Sequence, residues 1–66
     1  MEITLNGASR QLPDDINVAQ LIDLLDLSGK RMAMEINQEI VPRSTFNDTI
    51  IHAGDHIEIV GAIGGG

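Results

Sequence analysis

The residues with the clearest chemical potential close the sequence, where Gly61-Ala62-Ile63-Gly64-Gly65-Gly66 carries almost no side chain. The reacting group this segment offers is the α-carboxylate of Gly66. With an ordinary pKa of about 3.5 it is ionised at neutral pH and is a poor electrophile. It gains acyl reactivity only after conversion to an anhydride with a good leaving group. Glycine suits the last positions because an enclosed activating site must admit the backbone without clashing Cβ atoms. Gly66 then supplies the reacting group, while Gly65 and Gly64 give access to it. Ala62 and Ile63 are small anchors for a partner's strand or pocket. Val60 and Ile63 can form a small apolar docking patch beside the tail, although Val60 fits core packing as well. By composition alone, the same glycines also describe a flexible linker.

Other candidates are weaker. His52 and His56 are four residues apart, a metal-pair spacing on a helix, but Gly54-Asp55 breaks the segment and no third ligand is near. Surface or strand histidines are the plainer expectation, and no metal site is expected. Asp14-Asp15, and Asp23 with Asp26, resemble paired catalytic carboxylates, yet no nucleophile accompanies them. A hairpin exit and a solvated helix face account for both pairs. Met32 and Met34 at strand spacing read as core filler.

The elements that must position the tail fit in one small domain. Sixty-six residues bury only about 60% of the surface the unfolded chain exposes. Hydrophobic residues make up 42%, with Phe46 the one aromatic, so aliphatic side chains fill the core. Four basic against ten acidic residues give a net charge of −6. Nucleic acid and anionic membrane are therefore unsuitable partners. A basic protein partner is compatible with this charge, and solubility explains it too. No apolar run approaches the roughly 18–20 residues of a membrane span. The opening residues lack the pattern of a signal peptide, so the cytoplasm is the expected location. A monomer is expected when the protein is free.

Met1, Ile3 and Leu5 alternate with polar residues as in a half-buried strand. Asn6-Gly7 provides a type I′ turn, and the return strand runs from Ala8 to Leu12. That register sets Arg10 opposite Ile3, which predicts that Arg10 lies near a sheet edge with its head in water. Asn17 and Gln20 make a capping box, with Ile16 and Leu21 placed for a hydrophobic staple. Val18, Leu21, Ile22 and Leu25 form one buried helical stripe. Ser28-Gly29 is expected to end the helix, with Gly29 as its left-handed cap and Lys30 and Arg31 near the negative end of its dipole. Met32, Met34 and Ile36 mark a third strand. Asn37-Gln38-Glu39 turns the chain into a short strand at Ile40-Val41, which Pro42 stops. Ser44 is a candidate cap for one helical turn carrying Phe46. Gly54-Asp55 turns into a last strand around Ile57 and Ile59. The order β-β-α-β-β-β predicts an α+β domain with one main helix on one face of a single sheet. The domain is expected to span residues 1–60, with residues 61–66 a flexible tail, disordered when free.

Three stretches carry a family resemblance: Ile36-Asn37-Gln38-Glu39-Ile40-Val41-Pro42-Arg43, Gly54-Asp55-His56-Ile57-Glu58-Ile59-Val60 and the closing Gly65-Gly66. Together with Leu5-Asn6-Gly7 and the cap at Asn17, they resemble the ThiS family along the whole chain. Because these upstream motifs independently call for such an ending, they weigh against a mere linker. The resemblance implies a β-grasp (ubiquitin-like) fold, a mixed sheet with its first and last strands parallel and adjacent at the centre. It departs from the family at Gln38, where glycine is common, and at Arg10, where an apolar residue is easier to place.

The resemblance further implies a sulfur carrier for the thiazole ring of thiamine. Because the chain has no cysteine, sulfur must be held on another group, and the terminal carboxylate is available. An E1-like adenylyltransferase of the ThiF type would use ATP and Mg²⁺ to form the acyl-adenylate at Gly66. A persulfide donor would convert it to a thiocarboxylate, and a thiazole synthase of the ThiG type would accept the sulfur. The chain itself would bind no cofactor and would be a cosubstrate, not an enzyme. Three alternatives stay open: a molybdopterin synthase small subunit with the same tail chemistry, a ubiquitin-like modifier joined to lysines, and a non-catalytic β-grasp interaction module.

Overall fold

The structure, a computed structural model, describes residues 1–61. Strands β1 (Glu2–Leu5) and β2 (Ala8–Gln11) form the first hairpin. Helix α1 spans Val18–Leu24. Strands β3 (Met32–Ile36) and β4 (Glu39–Ile40) form the second hairpin, and β5 (His56–Gly61) closes the sheet. The strand order is β2-β1-β5-β3-β4. β1 and β5 are parallel neighbours and every other pairing is antiparallel. This is the β-grasp arrangement, with the first and last strands at the centre.

Alternation along the strands sends one set of side chains towards α1. Ile3, Met34 and Ile57 from the sheet meet Val18, Leu21 and Ile22 from the helix, and Leu12, Ile16 and Ile51 complete the core. Phe46 packs against its margin. Arg10 pairs with Ile3 as the register requires, and it is exposed on edge strand β2. Return strand β2 stops at Gln11; Leu12, one residue on, is buried and donates its N–H to Met1 O.

Both hairpins use two-residue turns with left-handed backbone. Asn6 and Gly7 have φ 50° and 84°; Asn37 and Gln38 have 53° and 71°. Positive φ at both central residues is the type I′ signature, whose twist matches that of the strands. The second turn is therefore Asn37-Gln38 alone, and β4 starts at Glu39, one residue earlier than the sequence suggested. Gln38 occupies a conformation that glycine adopts more easily.

The capping box at Asn17 is complete. Its side chain accepts from the Gln20 N–H at 2.8 Å, and the Gln20 side chain accepts from the Asn17 N–H at 2.8 Å. The helix end differs from expectation. α1 stops at Leu24, not at Ser28-Gly29, and Asp26 takes the left-handed position with φ 60°. Leu27 N–H bonds to Ile22 O at 2.9 Å and Asp26 N–H to Asp23 O at 3.0 Å, the two bonds of a Schellman motif. Aspartate tolerates left-handed backbone, and the motif folds Leu27 back against the core. Gly29 is left-handed too, but it serves the next turn, closed by Lys30 N–H to Leu27 O. Lys30 and Arg31 thus lie beyond the reach of the helix dipole, which fades within the last turn.

A second correction concerns Ser44. The 3₁₀ turn Arg43–Thr45 begins at Arg43 after Pro42, and no side chain caps it. Gly54, with φ 85°, closes the turn before β5 as expected. Among the described residues no helix is long and apolar enough to cross a membrane.

Candidate functional site

The candidate site is the end of β5 and the chain that follows it. Gly61 is the last residue of β5 and pairs with Met32 of β3. Gly66, Gly65, Gly64, Ile63 and Ala62 lie outside the described residues, and so does their expected disorder. Of the sequence-predicted site, the structure places Val60. It pairs with Ala33 and is 58% exposed, so it does not pack in the core.

Val60 points away from α1 because Ile57 and Ile59, at the other parity, face the core. The face it occupies is open. In register on that face, Glu58 of β5 lies opposite Glu35 of β3, and Glu35 lies opposite Ile40 of β4. Ile40, 73% exposed, is the most exposed large apolar side chain among the described residues. Glu2 of β1 is on the same side, and no Lys or Arg occupies a strand position of this face. The open face near the end of β5 therefore combines exposed apolar residues with uncompensated acidic ones.

On the other side of the exit, Leu5, Leu25, Leu27, Met32 and Ile59 line a groove of about 830 Å³ whose rim includes Lys30, Arg31 and Gly61. The side chain of Asn6 reaches from the first turn to β5, accepting from Ile59 N–H at 2.8 Å and donating to Ile59 O at 3.3 Å. His56 is a strand residue of the open face and His52 sits in the turn before it, its N–H bonded to Asp55 Oδ2 at 2.8 Å. Among the described residues no group of three or more His, Asp or Glu converges as metal ligands would.

Comparison with known proteins extends this picture through the tail. The model of the ThiS family matches residues 3–66. The chain belongs to the ThiS family. A sulfur carrier protein ThiS from Escherichia coli is 35% identical over 66 residues, covering the whole of both chains. A crystal structure of a thiamine biosynthesis protein (ThiS) from Geobacter metallireducens superposes with a TM-score of 0.86 at 29% identity, again over both whole chains. A thiazole synthase from Paramagnetospirillum magneticum is 36% identical over 66 residues, and there the chain spans only 20% of the relative's length.

Three features of this ThiS-family site escaped the sequence reading. In the sequence Asn6 reads only as a turn residue, because a side-chain bond to a strand 53 positions away leaves no local trace. Ala33, Glu35 and Ile40 join Val60 on one face only through the β3–β5 and β3–β4 registers. Lys30 and Arg31 reach the groove because α1 ends early. Alternation along each strand was the available signal for the second feature.

Proposed function

We propose that this chain is a sulfur carrier in thiamine biosynthesis, working through the carboxylate of Gly66. The reading rests on the family match over residues 3–66, glycine tail included. An E1-like enzyme of the ThiF type adenylates Gly66 with ATP and Mg²⁺, releasing pyrophosphate. A persulfide sulfur then attacks the acyl carbon and AMP leaves, giving an acyl disulfide; a second thiol attacks its outer sulfur, forming a new disulfide and releasing the thiocarboxylate. A thiazole synthase of the ThiG type takes the sulfur. The relative named thiazole synthase supports this branch over the molybdopterin one, since a domain similar to this chain occurs within that protein. All activating chemistry belongs to the partners, so the chain acts as a cosubstrate, in the cytoplasm where the ATP is.

The domain's contribution is presentation. β5 is pinned at the centre of the sheet between β1 and β3. Gly64 and Gly65 let the backbone enter an enclosed site, with Ala62 and Ile63 as anchors. The adenylating partner docks on Val60 and the open face, where Glu35 and Glu58 call for cationic residues around an apolar contact.

Intact mass decides the reading. After incubation with an E1-like enzyme, ATP, Mg²⁺ and a sulfur donor, one oxygen should be replaced by one sulfur, at Gly66 and only with ATP. Deleting Gly66 should abolish the change without altering thermal unfolding. An unchanged mass, with an enzyme active on another carrier, would overturn the proposal in favour of an interaction module.

A further inference from the structure

We propose that Asn6 is a positioning residue: its side chain fixes the end of β5 and so the point from which the tail leaves the domain. The inference rests on the carrier reading and concerns how the tail is presented. β1 ends at Leu5, which pairs with Ile57, yet β5 continues to Gly61. The β1–β5 ladder gives its last backbone bond from Asn6 N–H to Ile57 O at 2.8 Å. The next pair of groups on that side, Ile59 N–H and Ile59 O, faces a chain that has already turned away. The Asn6 side chain fills the place, accepting at 2.8 Å and donating at 3.3 Å.

A carboxamide offers one acceptor and one donor set, the same pair a peptide unit offers. Asparagine also tolerates the left-handed φ of 50° that the type I′ turn demands here. The backbone therefore turns back into β2 while the side chain continues the ladder. Aspartate would keep the acceptor and lose the donor; glycine would keep the turn and lose both.

The other end of β5 has a matching device. Asn37, in the second type I′ turn, accepts from His56 N–H at 3.0 Å and donates to Asp55 Oδ1 at 3.0 Å. Two asparagines thus bracket β5, one at its entry and one at its exit. β3 holds the exit on one side through Ala33↔Val60 and Met32↔Gly61. Of the two asparagines only Asn6 acts there, on the side β1 has left, so Asn37 is an internal control of similar chemistry. Loss of the exit clamp frees backbone that must be re-ordered each time a partner captures the tail, and that cost falls on binding.

The test compares the full chain with Asn6→Gly and Asn37→Gly by thermal unfolding, by amide exchange at Ile59, and by ATP–pyrophosphate exchange on an E1-like adenylating enzyme. Both variants should lose similar thermal stability. Only Asn6→Gly should speed exchange at Ile59 and raise KM, by about tenfold, roughly the cost of re-ordering one backbone residue, with kcat little changed. Equal KM changes in the two variants, or none in Asn6→Gly, would overturn the inference while leaving the carrier reading intact. A wild-type chain that is not adenylated at all removes the carrier reading, and this inference with it. Should Asn6→Gly fail to fold, Asn6→Asp replaces it: a KM above wild type supports the clamp, and a wild-type KM overturns it.

Discussion

Replacing Gln38 with glycine should stabilise this protein, and the reason lies in one backbone angle. Gln38 has φ 71° as the second central residue of the β3–β4 turn. Left-handed backbone costs an L-residue about 1–2 kcal/mol, and glycine escapes that cost. Against this, glycine releases more conformational freedom on unfolding, which returns about 0.4–1 kcal/mol. The difference leaves about 0.5–1 kcal/mol in favour of Gln38→Gly. Little else is lost, since Gln38 is exposed and no side-chain hydrogen bond joins it to another described residue. For a domain of this size, one kcal/mol moves Tm by about 4–8 °C, so Tm should rise by about 2–8 °C. Thermal unfolding followed by circular dichroism, with urea midpoints alongside, measures it. The mirror experiment is Gly54→Ala. Gly54 has φ 85° and an added Cβ would meet nothing within 4 Å, so only the backbone term changes. That variant should lose about 1 kcal/mol. An unchanged or lower Tm in Gln38→Gly would refute the strain argument, and so would shifts of the same sign in both variants.

Asn17→Ala removes the acceptor of the Gln20 N–H and the Asn17 Nδ2 bond to Asn47 O, while the bond from the Asn17 N–H to the Gln20 side chain can remain, so it should cost about 1 kcal/mol by urea titration. Met34→Ala opens a cavity beneath α1 at a residue 1% exposed; a loss of about 2–5 kcal/mol should leave much of so small a domain unfolded at 37 °C. Val60→Asp, on the open face, should leave unfolding within about 0.5 kcal/mol of wild type but raise KM with the adenylating partner severalfold. An unchanged KM would move the docking surface elsewhere.

How much of this was legible depends on whether the cause was local. The first hairpin, the capping box and most of the core stripe follow from neighbours in sequence, and the structure has them at Asn6-Gly7, Asn17-Gln20 and Val18-Leu21-Ile22, while Leu25, the fourth residue of the expected stripe, is the C-cap and only half-buried. The register placing Arg10 against Ile3 followed from counting out from a two-residue turn. The end of α1 did not. Gly29 advertises a left-handed cap, whereas the real one is Asp26, selected because it returns Leu27 to the core. That choice is made by packing, and propensity alone points three residues too far. The central turn was blurred for a related reason: Gln38 gives no sign of positive φ, so the type I′ geometry had to come from strand pairing. Of the expected site the structure describes only Val60, whose exposure follows from its parity on β5. Its surroundings on β3 and β4 depend on long-range register and became visible only with the sheet assembled.

The two faces of the sheet differ in how well they agree with stability. On the inner face alternation, burial and helix packing all point the same way: Ile3, Met34 and Ile57 are each 1% exposed beneath α1. The outer face breaks two rules close together. Glu35 and Glu58 stand directly opposite each other, an arrangement that costs cross-strand stability. Val60 and Ile40 expose apolar surface on the same side. Neither feature helps the free domain, and both are supplied by residues whose replacement would disturb no core contact. Local rules that fail together on one surface mark a place where something other than folding sets the residues. A cationic partner laid over this face would neutralise the facing carboxylates and cover the apolar residues at once. Reversing the charge tests the pairing: Glu58→Lys should stabilise the free domain slightly through Glu35 and weaken capture by the adenylating partner. A gain in both would mean that the acidic pair serves neither folding nor docking.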